Sequence, residues 1–370
     1  MNVILIFTFG VSLKEWLNTG LLNRELALYR EISNLEDISY TFITFGDDSD
    51  FLIIDHPNIK VLPAYTYLKK SKYKSLNYLK SLFLPFLIRK DLKNHDIIKT
   101  NQLSGSWIGI ILKFLLDIPL YIRTGYNIYE FKTLQNKSLF VRYFYLLLTK
   151  LSYFFAEIFT VTSLTDKENI SNICKDSKKL SLLRNYVVKI DFKEYEKRES
   201  LKILSVGRLD RQKNFRSMIQ IFNNSKFQLD IIGDGPDKAS LKKFSVEKNC
   251  NLNLLGSINN EEVMSIYKNY KFFFSTSKYE GNPKALIEAM AMGCLVFTTK
   301  NKNSEEIIEH EKNGYFIEHT ENILNTLENL INKPEKAKEI IENGYELIKK
   351  EYLIKNIVNA EINIYKNLIT

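Results

Sequence analysis

Cysteine and histidine are scarce in this chain. The three cysteines, Cys174, Cys250 and Cys294, are odd in number and far apart, no C-x-x-C pair occurs, and the four histidines do not cluster. Neither a disulfide framework nor a zinc site is indicated, and a reducing cytosol is the expected setting. Long apolar runs are also missing. The nearest approach, "YFYLLLTKLSYFFAEIF", is broken by Lys150 and Glu157 and falls short of the roughly 18 uninterrupted apolar residues that a membrane span needs. The opening "MNVILIFTFG" has no basic n-region and no small-residue cleavage site, so it reads as a first strand and not as a signal peptide. A dinucleotide fingerprint is absent too: "GDGPD" at 233–237 lacks the third glycine, which excludes a dehydrogenase. Aromatic–basic readout motifs do not occur, so the net charge of +9 does not argue for nucleic acid.

What remains is an ordinary globular composition, 45% hydrophobic and 26% charged, in a chain of 370 residues. That length exceeds what one core usually supports, so two domains are expected. Apolar strand-like runs alternate with helical patterns throughout, the signature of α/β architecture with parallel sheets. In the first half the strands are "NVILIFTF", "SYTFITFG", "IKVLP", "HDIIKT", "PLYIRT", "IFTVTS" and "LSLLRN"; helices such as "LNRELALYREIS" and "KSLFVRYFYLLLTKLSYFFAE" lie between them. The charged segment "KIDFKEYEKRES" reads as a linker. A second series follows: "LKILSVG", "FQLDIIGDG", "NLNLLG", "YKFFFSTS" and "CLVFTT", then 40 helical residues. The expected organisation is a domain at 1–188, a second at 189–345 and a terminal helical segment at 346–370. Folds of this class bind ligands in crevices at strand C-terminal ends.

Several chemistry-bearing residues follow second-half strands. Arg208 and Lys213 occupy the loop after "LKILSVG", where two cations can hold a diphosphate and stabilise a departing anion. The segment "YEGNPKALIEAMAMG" places Glu280 in a loop and Glu288 in the helix that follows, with Asn282 as N-cap, Pro283 at the first helical position and Gly293 as the stop. A helix N-terminus favours phosphate. Carboxylates beside it suit sugar hydroxyls. The bland reading, solvated surface charges around a capped helix, fits each feature alone but not all of them in this order.

Taken together, the pattern resembles the retaining, nucleotide-sugar-dependent glycosyltransferases of the GT-B fold, most closely glycosyltransferase family 4. The carrying residues are Gly207-Arg208 with Lys213-Asn214, Gly233-Asp234-Gly235-Pro236, Leu255-Gly256, and Glu280 with Glu288; the match is strong over about 200–300. Asn185 in "LLRNYVV" and the last helix resemble further parts of the family. The resemblance implies two Rossmann-like domains facing a cleft, with the C-terminal helix returning to the N-terminal domain. It implies that Arg208 and Lys213 bind the donor diphosphate, with Gly207, Gly233 and Gly235 in the surrounding turns. The N–H groups of Lys284, Ala285 and Leu286, behind Gly281, Asn282 and Pro283, meet the same phosphates. Glu288 takes the ribose, Glu280 the donor sugar, and Leu255-Gly256 the base. Such chemistry needs no metal and no cofactor. The donor is itself the substrate, UDP-sugar being favoured over GDP-sugar, and the acceptor is a glycan or lipid-linked glycan. The implied setting is bacterial surface polysaccharide or lipopolysaccharide assembly in the cytoplasm, at the inner face of the membrane.

The first half departs from the family. Gly10 stands alone where a glycine-rich loop is usual, and the histidine at the end of the fifth strand is absent, which leaves Arg123 or Tyr126 to serve the sugar or acceptor side. Asp48-Ser49-Asp50 is a D-x-D without supporting ligands and reads as a polar loop. Residues 69–93 carry eight basic residues against one acid, Asp91, with Leu76, Leu79, Leu82, Phe83, Phe86 and Leu87 at helical spacing and Pro85 restarting the helix. This segment suits peripheral contact with an anionic membrane; the competing reading is a core helix with a lysine-rich outer face. A GT-B epimerase or a catalytically inactive sugar-binding scaffold are the alternative functions. A phosphorylase would need a far longer chain.

Overall fold

The computed structural model describes residues 1–191, 193–320 and 322–370. Among these, the chain divides into two compact units, 1–184 together with 357–370, and 185–356, against the expected boundaries at 188 and 345.

The first unit holds an all-parallel sheet of β1 (Asn2–Ile6), β2 (Ser39–Thr44), β3 (Ile59–Pro63), β4 (Ile97–Thr100), β5 (Leu120–Arg123), β6 (Ile158–Val161) and β7 (Leu180–Leu182), in the order β3-β2-β1-β4-β5-β6-β7. β1 lies between β2 and β4, and its residues Val3 to Ile6 are fully buried, which is why that strand has no polar alternation. The second unit holds β8 (Glu199–Val206), β9 (Gln228–Ile232), β10 (Asn251–Gly256), β11 (Tyr270–Ser275), β12 (Leu295–Thr298) and β13 (Tyr315–Phe316), in the order β10-β9-β8-β11-β12-β13. Phe272 and Phe274 pack into one apolar layer and Phe273 into the other, so helices cover both faces of this sheet. Each expected strand is present. β13, at two residues, is too short to leave a periodic signal.

In both sheets the strand order reverses once, between β1 and β4 in the first and between β8 and β11 in the second. Crossovers leave in opposite directions at these points, and the loops at the strand ends part to form a crevice.

The final helix, Ile354–Ile369, runs into the first unit, where Glu361 and Tyr365 join a fully buried polar cluster. Lys99 of β4 forms an ion pair with Glu361, both side chains being wholly excluded from solvent. The Tyr121 hydroxyl donates to the other Glu361 oxygen at 3.2 Å. Rings of Tyr29, Tyr121 and Tyr365 stand 5.0, 5.3 and 5.8 Å from the Lys99 ammonium. This cluster pins the end of the chain to the first sheet.

Candidate functional site

In the second unit the loops after β8, β9 and β10 are stitched together by backbone. Gly207 N–H donates to Ile232 C=O (2.9 Å), Leu209 N–H to Asp234 C=O (3.0 Å) and Gly233 N–H to Gly256 C=O (2.7 Å). Glycine is required at the tightest of these approaches. A Cβ on Gly233, whose φ is +144°, would stand 2.0 Å from the Gly207 carbonyl oxygen. A Cβ on Gly235 would meet the Leu209 carbonyl oxygen at 2.4 Å. Gly256 has φ +77° with open space around it, and Leu255 beside it is 38% exposed.

Lys213 and Glu280, 67 residues apart in sequence, meet at the reversal point between β8 and β11. The Lys213 ammonium donates to Glu280 Oε1 at 2.5 Å, with both side chains mostly buried. The Lys213 stem runs over Gly207, where a side chain would crowd it. Arg208 differs: it is 73% exposed and its Nε lies 3.6 Å from Asp210 Oδ2. One cation is thus held in the crevice and the other reaches into solvent.

The helix after β11 spans Lys284–Ala291 and begins one residue later than the sequence suggested. Pro283 occupies the cap position in place of Asn282. Its carbonyl accepts from Leu286 N–H (3.0 Å) and Ile287 N–H (3.2 Å), whereas the Asn282 carbonyl accepts from the Asn185 amide at 3.3 Å. Gly293, at φ +76°, ends the helix as expected. Glu288 is 5% exposed, and the Asn260 amide donates to it at 3.3 Å. Gly281 lies in the bend between Glu280 and this helix. Lys284 and Ala285 form its first two positions.

Residues that sequence reasoning passed over hold this arrangement. Asp210 Oδ1 accepts from the N–H groups of Gln212 (3.0 Å) and Lys213 (3.2 Å), which fixes the turn that aims Lys213. The Gln212 amide donates to Tyr279 C=O at 3.0 Å, and the Asn303 amide to Glu280 C=O. Asp210 carried a local signal, an Asx turn three residues before the cation Lys213. Asn303 carried none, because its contact spans 23 residues.

In the first unit, Gly10 (φ +83°) forms the turn after β1, and the preceding Phe9 donates its N–H to Ser104 C=O at 2.9 Å, beside the β1/β4 reversal. Arg123 is a buried residue of β5, and Tyr126 packs on Phe131 with ring centroids 4.6 Å apart. Burial raises the Tyr126 phenol above its ordinary range. Asp48 and Asp50 do not act as a pair. Asp48 is exposed, while Asp50 is fully buried and accepts from Leu13 N–H (3.1 Å), Lys14 N–H (3.1 Å) and the Thr44 hydroxyl (2.6 Å), so it secures the start of the helix Leu13–Asn18. The 69–93 segment forms two helices, Lys74–Ser81 and Leu84–Ile88, with Pro85 in the first turn of the second. Its six apolar residues at helical spacing are 40–65% exposed, whereas Leu84, Ile88 and Leu92 of the same segment are fully buried, so one side joins the core and the other is uncovered.

The whole chain superposes on HepE of Anabaena, solved with UDP and glucose, with a TM-score of 0.75 at 15% identity and 100% of both chains covered. The fold is therefore GT-B. Residues 187–347, nearly the whole second unit, match the family described as Glycosyl transferases group 1. The chain is similar to the amylovoran biosynthesis glycosyltransferase AmsD of Erwinia amylovora, at 32% identity over 138 residues, 35% of this chain and 37% of that one. It is similar over a longer stretch to the UDP-Gal:alpha-D-GlcNAc-diphosphoundecaprenol alpha-1,3-galactosyltransferase of Escherichia coli, at 27% identity over 326 residues, 75% of this chain and 79% of that one. Two further curated relatives are matched over 48% and 43% of their length, so the chain spans under half of several of them.

Proposed function

We propose that this protein is a retaining, metal-independent glycosyltransferase. It moves a sugar from a nucleotide-diphosphate sugar, UDP-sugar in preference to GDP-sugar, onto a glycan or lipid-linked glycan in bacterial surface polysaccharide assembly. The observation that carries the reading is the Lys213–Glu280 pair at the β8/β11 reversal of a group 1 glycosyltransferase domain. A cation fixed there stabilises the diphosphate as its bond to the sugar breaks, and the carboxylate beside it positions sugar hydroxyls. Arg208 supplies the second cation, the start of the Lys284–Ala291 helix adds N–H groups, and Glu288 accepts from the ribose. Gly207, Gly233, Gly235 and Gly256 let the backbone approach the nucleotide. Arg123 and Tyr126 serve the sugar or acceptor side, and Gly10 lies in the donor-binding loop close to the donor phosphate and the acceptor. The basic 69–93 segment rests on an anionic membrane surface, in keeping with a lipid-linked acceptor.

The test is a thermal-shift titration with UDP, GDP, CMP and NAD in EDTA, on the wild type and on Glu288→Ala. A nucleoside diphosphate at 100 times its dissociation constant stabilises the fold by about 2.7 kcal/mol. A shift with one such nucleotide, much reduced in the variant, is the expected result. A shift that appears only with Mn²⁺ overturns the metal-free assignment. The anomeric configuration of the product, read by NMR coupling, decides retention.

A further inference from the structure

The helix Leu139–Phe155 is packed on one side only. Leu148, Thr149, Ser152 and Tyr153 are buried, whereas Leu139, Phe140, Tyr143, Leu147 and Phe154 are 57–83% exposed. At 100° per residue these outward side chains form one stripe along a helix about 25 Å long. An apolar groove of about 280 Å³ runs between this helix and Lys74–Ser81, lined by Tyr78, Leu79, Leu82, Trp107, Phe144 and Leu151 among others. Its polar atoms point elsewhere: the Trp107 indole N–H donates to the Ser81 hydroxyl at 3.0 Å. Continuous apolar surface of this extent is costly in water and marks a contact site.

The surrounding charge decides what covers it. Lys69, Lys70, Lys72, Lys74, Arg89 and Lys90 are exposed around the first helix, Lys137 precedes the second, and Lys150 stands on the second's exposed face. Two copies of the chain meeting on this face would bring one cationic rim against another. An anionic leaflet neutralises it. At the groove, Tyr78 stacks on Phe9, the residue before Gly10, with ring centroids 4.0 Å apart.

We propose that this face lies on an anionic bilayer and that its groove takes up one hydrocarbon chain from the leaflet. The proposal rests on the membrane reading of 69–93 and adds to it a second helix, Leu139–Phe155, and a defined slot for a lipid chain. Aromatic and leucine side chains enter the acyl region while the lysines stay at the headgroups.

The chain has two tryptophans, Trp16 in the core and Trp107 in the groove. With Trp16→Phe as background, the protein is mixed with phosphatidylcholine vesicles with and without phosphatidylglycerol, the lipids brominated along one acyl chain. The expected result is co-sedimentation that needs the anionic lipid, with quenching of Trp107. Each of Lys72→Gln and Lys90→Gln weakens binding by about fivefold. Leu147→Glu abolishes quenching, and nucleotide-induced thermal shifts persist in it, which keeps this test separate from that of the donor site. Vesicle binding without Trp107 quenching overturns the chain slot. A dimer in solution whose formation Leu147→Glu prevents, with no vesicle binding, overturns the proposal as a whole.

Discussion

The buried pair between Lys99 and Glu361 gives the sharpest test of the physical reasoning. Glu361→Gln keeps the volume and removes the charge, leaving an ammonium fully excluded from solvent with three tyrosine rings and a neutral amide around it. Removing one member of a buried ion pair costs about 3–5 kcal/mol. Against a total stability of about 5–15 kcal/mol for a folded protein, that is a large share. Replacing both, as Lys99→Met with Glu361→Leu, removes the uncompensated charge and is expected to be neutral or stabilising by about 1–4 kcal/mol. The assay is chemical denaturation combined with hydrogen exchange on residues 354–369, because the two units need not unfold together. The single variant should release protection across that helix and the double variant should restore it. A double variant no more stable than the single one would refute the argument, since the loss would then come from packing and not from a stranded charge.

Three further outcomes are expected. Lys213→Met should lower the turnover number by about 10²–10³, the usual cost of removing one fixed donor to developing negative charge, while circular dichroism stays native; unchanged turnover would remove Lys213 from the donor site. Gly233→Ala should destabilise the second unit by more than about 2 kcal/mol, because its Cβ would collide with the Gly207 carbonyl at a backbone angle that L-residues avoid; a melting curve matching that of the wild type would contradict the close approach. Burial lowers the Lys99 ammonium to about 8 from 10.5, although Glu361 opposes the shift. Between those values the unfolded chain holds the extra proton, so this pair's contribution to stability rises with pH over that window and is flat below it. Comparing the denaturation midpoints of the wild type and the Lys99→Met/Glu361→Leu variant at pH 7, 8 and 9 measures that rise.

Most of the scaffold was legible in the sequence because buried parallel strands leave continuous apolar runs and the glycines mark turns that no other residue can make. The candidate donor residues were legible for a related reason: each follows a strand at a position where the chain must turn. What tertiary structure added was selection among them. Lys213 and Arg208 look equivalent in "GRLDRQKN", but Asp210 and the Glu280 loop bury one and leave the other in solvent. Asp50 looked like half of a D-x-D, and only the fold turned it toward Leu13, Lys14 and Thr44. Asn303, Lys99 and Glu361 gave no signal, because their partners lie 23 and 262 residues away and local patterning carries no information about such distances.

The sequence by itself determined the α/β class, the two-unit organisation and the candidate donor-site residues, since strand burial, turn chemistry and charge type are local properties. Only the tertiary structure decided which cation is fixed beside Glu280, which acids are structural, and which helix faces remain uncovered. Those depend on long-range packing, and packing is settled by where distant segments come to rest.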